Sequence, residues 1–444
     1  MINRRDFGKL VLGATALSFT ACNSLASGLS TIPANKKRVV IVGGGFGGAA
    51  TARYLRKFDS NVEIVLVEQN KEYYTCPFSN AVIAGMEKMD FIKHDLSTLA
   101  KKHNIKVVHA KVAKIDGANQ NVVLENGEKI SYTKAVVSPG IDFKYEKGYT
   151  KENEKHAPHA VKAGEQTTIL QKQLENMKDG GTFVMVAPAD PFRCPPGPYE
   201  RISLVAHYIK NNKPNSKIIV LDQKDKFSKQ VLFTNGWKEL YGDLIEWRAA
   251  QFGGKVVSVD PVKKIVVTED EEVQADVLNY IPNQKASQLA FDSGLVADGK
   301  DWCDIHPKTF ESKLVKNVHV IGDASNAAPM PKSAFSASTQ GKVVALQIAR
   351  MLKQQEPLNP PKLANTCYSL LSPNYGISIA AVYNALDDKI QNVDVSSVTP
   401  EADQVFSYDG TLASWKTSDY LIRQNGQIES NQSITVSYTI GDDN

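Results

Sequence analysis

Arg38-Val39-Val40-Ile41-Val42-Gly43-Gly44-Gly45-Phe46-Gly47-Gly48 is a run of β-branched residues that opens into glycines around a single phenylalanine. Gly43, Gly45 and Gly48 fill the G-x-G-x-x-G pattern, with Phe46 inside it. Glycine in those places allows a tight turn, a close approach of backbone to a pyrophosphate, and close packing of helix on strand. The pattern predicts a helix over 49–57 and a second strand over 62–67 ending in Glu68, about 20 residues past the last glycine. A carboxylate there can accept a bond from a ribose hydroxyl. Strand, glycines, helix, strand and terminal acid together read as a dinucleotide-binding unit.

Two later stretches decide which dinucleotide. Residues 134–140 form a strand running into Ser138-Pro139-Gly140, and residues 318–324 form a strand ending in Gly322-Asp323. Their order and distance from Gly43 suit a flavoprotein in which the first closes an FAD domain and the second places an aspartate on the ribitol chain. Lys332, shortly beyond, is a candidate cation for the flavin pyrimidine, ahead of a helix over 343–352.

A second α/β unit lies between. Thr182-Phe183-Val184-Met185-Val186-Ala187 reads as a strand and residues 201–209 as a helix. The turn joining them is Phe192-Arg193-Cys194-Pro195-Pro196-Gly197-Pro198-Tyr199-Glu200. It is crowded with prolines where an NAD-binding turn needs glycines, so thiol chemistry replaces nicotinamide binding there. A cysteine at a helix N-terminus beside Arg193 is expected to have a depressed pKa. Past Pro357-Leu358-Asn359-Pro360-Pro361 a third segment begins, with an alternating stretch over 433–440 that predicts an antiparallel strand. The fold class is therefore α/β, a two-dinucleotide-binding-domain (glutathione-reductase-like) flavoprotein with a C-terminal α+β domain. Residues 1–35 are a leader, 36–150 plus 287–359 the FAD domain, 151–286 the second Rossmann-like domain, and 360–444 the C-terminal domain.

Composition limits the classes of function. The 444 residues are 42% hydrophobic and 23% charged, ordinary for a globular protein of two or three domains. Of the net charge of +4, the N-terminal Arg4, Arg5 and Lys9 against Asp6 account for +2, and no basic stripe interleaves with aromatics, so nucleic acid is excluded as a partner. Asn3-Arg4-Arg5-Asp6-Phe7-Gly8-Lys9 and the apolar run after it read as a twin-arginine export signal, too short to span a bilayer. It predicts a periplasmic protein with no transmembrane span, with lipid anchoring at Cys22 as an alternative end for the leader. Cys76, Cys194, Cys303 and Cys367 remain, and four cysteines allow three complete pairings.

Tyr73-Tyr74-Thr75-Cys76-Pro77-Phe78-Ser79-Asn80, Arg193-Cys194-Pro195-Pro196-Gly197-Pro198-Tyr199-Glu200 and Asn365-Thr366-Cys367-Tyr368-Ser369-Leu370-Leu371 surround three of them. With Lys224-Asp225-Lys226-Phe227-Ser228-Lys229-Gln230 and Gly236-Trp237, these closely resemble the flavoprotein subunit of flavocytochrome c sulfide dehydrogenase. The resemblance implies that Cys76 bonds covalently to the flavin 8α carbon. It implies also that Cys194 and Cys367 form a redox-active disulfide attacked by hydrosulfide, and that Glu200 is a catalytic carboxylate whose pKa burial would raise. Cys303 reads as structural. Where the family usually has tryptophan this chain has Val161, and the match is weakest from Asp387 onward.

The expected activity is oxidation of sulfide to elemental sulfur or polysulfide, with electrons passed to a c-type cytochrome subunit in a heterodimer. The chain has no Cys-x-x-Cys-His, so haem would belong to the partner alone. Two alternatives are a sulfide:quinone oxidoreductase and a non-catalytic exported flavoprotein that accompanies a cytochrome. An NADH-dependent disulfide reductase is disfavoured by the missing glycine loop.

Overall fold

A computed structural model describes Ala26, residues 28–393 and the strand Ser397–Val398. The twin-arginine stretch, Cys22, and the strand expected over 433–440 lie outside the described residues. Along the chain come β1 (Arg38–Val42), α1 (Phe46–Phe58), β2 (Glu63–Val67), α2 (Ser79–Ile83), β3 (Lys106–Val108) and β4 (Lys134–Val137). The second unit holds β5 (Thr182–Ala187), α3 (Gly197–Asn212), β6 (Lys217–Asp222), α4 (Gln230–Tyr241), β7 (Ile245–Arg248) and β8 (Val277–Tyr280). The chain then returns through β9 (Val318–Val320) and α5 (Ala334–Leu352) to a long hairpin, β10 (Lys362–Ser372) and β11 (Tyr375–Ala385).

The first sheet has the order β9-β4-β1-β2-β3, all parallel. Its central strand β1 is buried at all five positions, as a parallel strand covered on both faces must be. Arg38 starts it at 1% exposure, with Nε donating to Glu63 at 2.8 Å and a terminal nitrogen to the Leu29 carbonyl at 2.6 Å. β2 and β4 flank β1 on opposite sides, so the chain diverges at the carboxyl ends of β1 and β4. Such a divergence opens the crevice in which open α/β sheets bind ligands.

α1 and α5 cover one face of this sheet and approach each other across small residues. A Cβ built on Gly341 would lie 2.6 Å from the Gly47 carbonyl oxygen, so the two helices meet backbone to backbone there. The second sheet, β7-β6-β5-β8, is also parallel and places β5 between β6 and β8. The turn after β5 thus stands at the corresponding divergence of the second unit. Within the described part of the third segment the elements are strands: β10 pairs antiparallel with β11, from Lys362 opposite Asn384 to Ser372 opposite Tyr375. β10 packs on α3 and α5, and so carries Cys367 from the far end of the chain to the start of α3.

Candidate active site

A cleft of about 820 Å3 runs along the carboxyl ends of β1 and β4 and is lined by Gly43, Gly45, Phe46, Glu68, Gly140, Gly322 and Asp323. Its shape depends on absent side chains. Gly43 has φ +96°, and a Cβ there would meet the Ser138 carbonyl oxygen at 2.3 Å. Gly45 has open space where its Cβ would be, on the cleft wall. Gly48 does not face the cleft. A Cβ on it would lie 1.8 Å from the Gly43 carbonyl oxygen, so it sets the distance between α1 and the turn. Glu68 is fixed at the cleft edge, Oε2 accepting from the Gly44 N–H at 2.7 Å and Oε1 from the Asn70 N–H at 2.9 Å. Tyr73, also on the wall, has a buried hydroxyl without a partner among the described residues. A glycine-lined cradle at strand ends, an acid at its rim and an orphaned polar group fit a dinucleotide.

Lys332 corrects the sequence expectation. Its Nζ donates to the Asp323 and Ser325 carbonyls at 2.8 and 2.9 Å and stands 3.6 Å from the Trp302 ring centroid, so the ammonium is turned away from the cleft. Burial lowers its pKa to about 8. It contributes through its backbone instead, because its carbonyl accepts the Cys194 N–H at 2.6 Å. Cys303, beside Trp302, is fully buried.

The Cys194 turn has its amides in use. Ala189 N–H donates to Asn283 Oδ1 at 2.9 Å and Arg193 N–H to Gln284 Oε1 at 2.8 Å. Side chains that follow β8 occupy the donors that a pyrophosphate would need. Cys194 adopts φ +56°, and a Cβ on Gly197 would lie 2.9 Å from its Sγ, so a glycine opens α3 to make room for sulfur.

Beside the cleft lies a second cavity of about 130 Å3, reached by Cys194, Cys367 and Glu200. Cys76, Pro77, Arg193, Cys194, Ser333 and Ala334 line both cavities and form the wall between them. All four described cysteines are free thiols. Cys194 and Cys367 therefore share the pocket as a dithiol, and the expected bridge between them is not closed. Cys367 Sγ instead accepts from Asn365 Nδ2 at 3.3 Å.

The depressed pKa expected for Cys194 is also corrected. Burial, reinforced by Cys76, Cys367 and Glu200, holds this thiol well above its ordinary value. Arg193 is committed elsewhere, Nε to Asp323 Oδ2 at 2.6 Å and a terminal nitrogen to the Val161 carbonyl at 3.2 Å. In this enclosed setting desolvation outweighs the helix N-terminus. Glu200 faces the pocket with its carboxyl enclosed: Oε1 accepts the Leu370 N–H at 3.0 Å and Oε2 accepts from Asn80 Nδ2 at 2.8 Å. Burial raises its pKa, against the pull of those two bonds and of Lys229 and Arg201.

Four contributors escape a reading of the sequence. Asn80 bridges Glu200 to Arg201, whose Nε donates to Asn80 Oδ1 at 3.0 Å. Arg201, 3% exposed, donates also to the His159 and Ala160 carbonyls and to Asn279. Lys229, 9% exposed, donates from Nζ to Ser369 Oγ at 2.8 Å and to the Cys367 carbonyl at 3.2 Å. Asn365 is the fourth. Asn80, Lys229 and Asn365 stand inside the quoted stretches, but only the fold brings them to the sulfurs.

Comparison with known proteins agrees with this arrangement. Residues 167–282 match the family described as sulfide dehydrogenase (flavocytochrome c) flavoprotein chain, central. Residues 359–414 match flavocytochrome c sulphide dehydrogenase, flavin-binding, and residues 37–184 match pyridine nucleotide-disulphide oxidoreductase. The sulfide dehydrogenase (flavocytochrome c) flavoprotein chain of Chlorobaculum thiosulfatiphilum is 65% identical over 46 residues, 10% of this chain and 96% of that sequence. Mitochondrial sulfide:quinone oxidoreductase of Mus musculus is 23% identical over 354 residues, covering 75% of each chain. The crystal structure of sulfide:quinone oxidoreductase from Aquifex aeolicus superposes with a TM-score of 0.70 at 17% identity, covering 89% of this chain and 93% of that one, and shares the fold. The flavin-binding match and the glycine cradle together assign FAD to the large cleft.

Proposed function

The chain belongs to the family of the flavocytochrome c sulfide dehydrogenase flavoprotein chain, and we propose that it oxidises sulfide to elemental sulfur or polysulfide and passes the electrons to a c-type cytochrome subunit. One observation carries this reading. Cys194 and Cys367, 173 residues apart in sequence, reach the same small pocket, and that pocket shares a wall with the FAD cleft.

The pocket suits hydrosulfide or a short sulfur chain, because about 130 Å3 is the space of a few heavy atoms. In the oxidised state Cys194 and Cys367 form a disulfide, which exchanges with an incoming sulfur nucleophile. The Cys194 turn is held from three sides, by Lys332, Gln284 and Asp323, which keeps its sulfur in place during exchange. Glu200, its pKa raised by burial, is placed to exchange a proton with the substrate sulfur. When bound, FAD supplies acceptance of an electron pair and its release one electron at a time.

Cys76 lines both cavities and is the residue through which the flavin would be tethered covalently. Haem would be confined to the partner, in a heterodimer. Export by the twin-arginine pathway to the periplasm, with Cys22 as an alternative lipid anchor, completes the proposal. No helix among the described residues is long and apolar enough to cross a membrane.

Anaerobic titration of the purified flavoprotein with sulfide tests the reading. Sulfide is expected to bleach the flavin, and Cys194→Ser to abolish the bleaching. A flavin spectrum indifferent to sulfide would overturn the activity. Faster reduction of a quinone analogue than of cytochrome c would reassign the electron acceptor.

A further inference from the structure

Two sulfurs that share a pocket are not placed in equivalent surroundings. Cys367 Sγ accepts from Asn365 Nδ2 at 3.3 Å. That amide cannot turn over freely, because Asn365 Oδ1 already accepts from the hydroxyls of Ser333 at 2.6 Å and Ser336 at 3.1 Å. Behind the same residue, Lys229 Nζ donates to the Cys367 carbonyl at 3.2 Å and to Ser369 Oγ at 2.8 Å. Lys229 sits before the first turn of α4 with φ +60°, a conformation that carries its side chain inward to 9% exposure. Among the described residues no carboxylate bonds to it, and its charge acts on both sulfurs and on Glu200.

Lys229 acts on Cys194 too, but behind burial, Cys76, Cys367 and Glu200, all of which raise that thiol. The two guanidiniums near it are committed, Arg193 to Asp323 and Val161, and Arg201 to Asn80, His159, Ala160 and Asn279. The charged and titratable groups around the pair are Lys229 from the turn before α4, Glu200 and Arg201 from α3, Arg193 from the turn before α3, Cys76 from the turn before α2, and Tyr383 from β11. Among the cations Lys229 is the one bonded to the strand that carries Cys367, through the Cys367 carbonyl and Ser369.

We propose that Lys229 is a positioning residue which, with Asn365, makes Cys367 the sulfur that departs as thiolate and so directs hydrosulfide onto Cys194. This rests on the sulfide-oxidising reading above. In the step, the hydrosulfide sulfur bonds to Cys194 Sγ, the Sγ–Sγ bond breaks, and its electron pair leaves on Cys367 Sγ. The sulfide sulfur is oxidised, the disulfide is reduced, and the proton stays on the terminal sulfur of the Cys194 persulfide. The better-stabilised thiolate is the better leaving group. Burial raises both thiols, Cys194 well above its ordinary value, and Lys229 heads the influences that lower Cys367. Lys229 itself, lowered by burial to about 8, keeps its proton through neutral pH.

The test is alkylation of the reduced holoprotein with iodoacetamide across a pH series, with Cys194 and Cys367 followed separately by peptide mass spectrometry. The midpoint of each curve reports acidity rather than access. Cys367 should titrate below Cys194. Lys229→Met should erase the difference and Lys229→Arg should keep it. In parallel, a brief sulfide pulse on the oxidised protein should leave the extra sulfur on Cys194. A wild-type midpoint for Cys194 at or below that of Cys367 overturns the proposal without need of a variant, as does a persulfide found on Cys367. If sulfide fails to react at all, the sulfide-oxidising reading falls, and the order of midpoints still decides the charge asymmetry.

Discussion

Arg193 Nε donates to Asp323 Oδ2 at 2.6 Å, and this ion pair ties the loop that bears Cys194 to the strand end that closes the FAD cleft. The two residues are 130 positions apart and their side chains are 21% and 11% exposed. Removing one partner strands the other charge in a poorly solvated place. Arg193→Leu is expected to cost an amount near the low end of the ~3–5 kcal/mol typical of a broken buried pair. The urea midpoint should fall and the protein should purify with less flavin. Unchanged stability and flavin content would show that the pair is dispensable.

Gly45 and Gly48 belong to one motif yet do different work, and alanine separates them. A Cβ on Gly45 meets no protein atom within 4 Å but stands on the cleft wall. A Cβ on Gly48 would lie 1.8 Å from the Gly43 carbonyl oxygen. Gly45→Ala should fold normally and bind FAD weakly, whereas Gly48→Ala should lower the melting temperature whether or not FAD is present. Thermal melts of each variant with and without added FAD check both outcomes.

The legible parts of this sequence were those in which one local pattern sets one local geometry. Gly43 to Glu68 announced the cleft because a strand, a tight turn and a helix follow in unbroken order. The prolines around Cys194 disfavour a nucleotide turn, and the structure adds a second physical reason: Asn283 and Gln284 take the turn's amides. Charges were the illegible part. Sequence neighbours suggest a role for Lys332 and an acidity for Cys194, but the direction of a lysine side chain and the depth of a thiol depend on packing from distant elements. Lys229 is hidden within its local stretch for the same reason. Its partners, Cys367 and Ser369, lie about 140 residues away.

Glu200 makes a pH dependence with a definite sign. Its folded pKa is raised by burial, so its proton is bound more tightly in the folded protein than in the unfolded chain. The stability this contributes is fully present below the ordinary carboxylate range and is lost as pH rises through the raised value. Glu200→Gln cannot titrate, so the fall in urea midpoint as pH rises above the ordinary carboxylate range should flatten in the variant. Its amide would also oppose the Asn80 donor, at a cost of about 1 kcal/mol at every pH. The sulfide-dependent rate should drop by about 10²–10⁴-fold, as for loss of a general acid or base. A variant with wild-type rate and an unchanged pH profile would remove Glu200 from the chemistry.

Cys76 offers a test that does not depend on turnover. Its carbonyl accepts the Ser79 N–H at 3.0 Å and the Ser79 hydroxyl at 2.7 Å, and Thr75 Oγ1 donates to the Pro77 carbonyl at 3.0 Å, so the turn that presents the thiol is fixed. Burial raises the Cys76 pKa, while Arg193 and Arg201 act to lower it, and the thiol stands on the wall of the FAD cleft, where it would tether the flavin. Acid precipitation of the wild-type protein should therefore carry the yellow chromophore into the pellet. Cys76→Ser should release it to the supernatant, because the hydroxyl preserves the polar contacts but cannot form the thioether. Sulfide should still bleach the flavin of that variant, since Cys194 and Cys367 are untouched, but more slowly, because loss of the 8α substituent lowers the flavin potential. Flavin released by acid from the wild type would remove the tether while leaving the dithiol pocket and its chemistry in place.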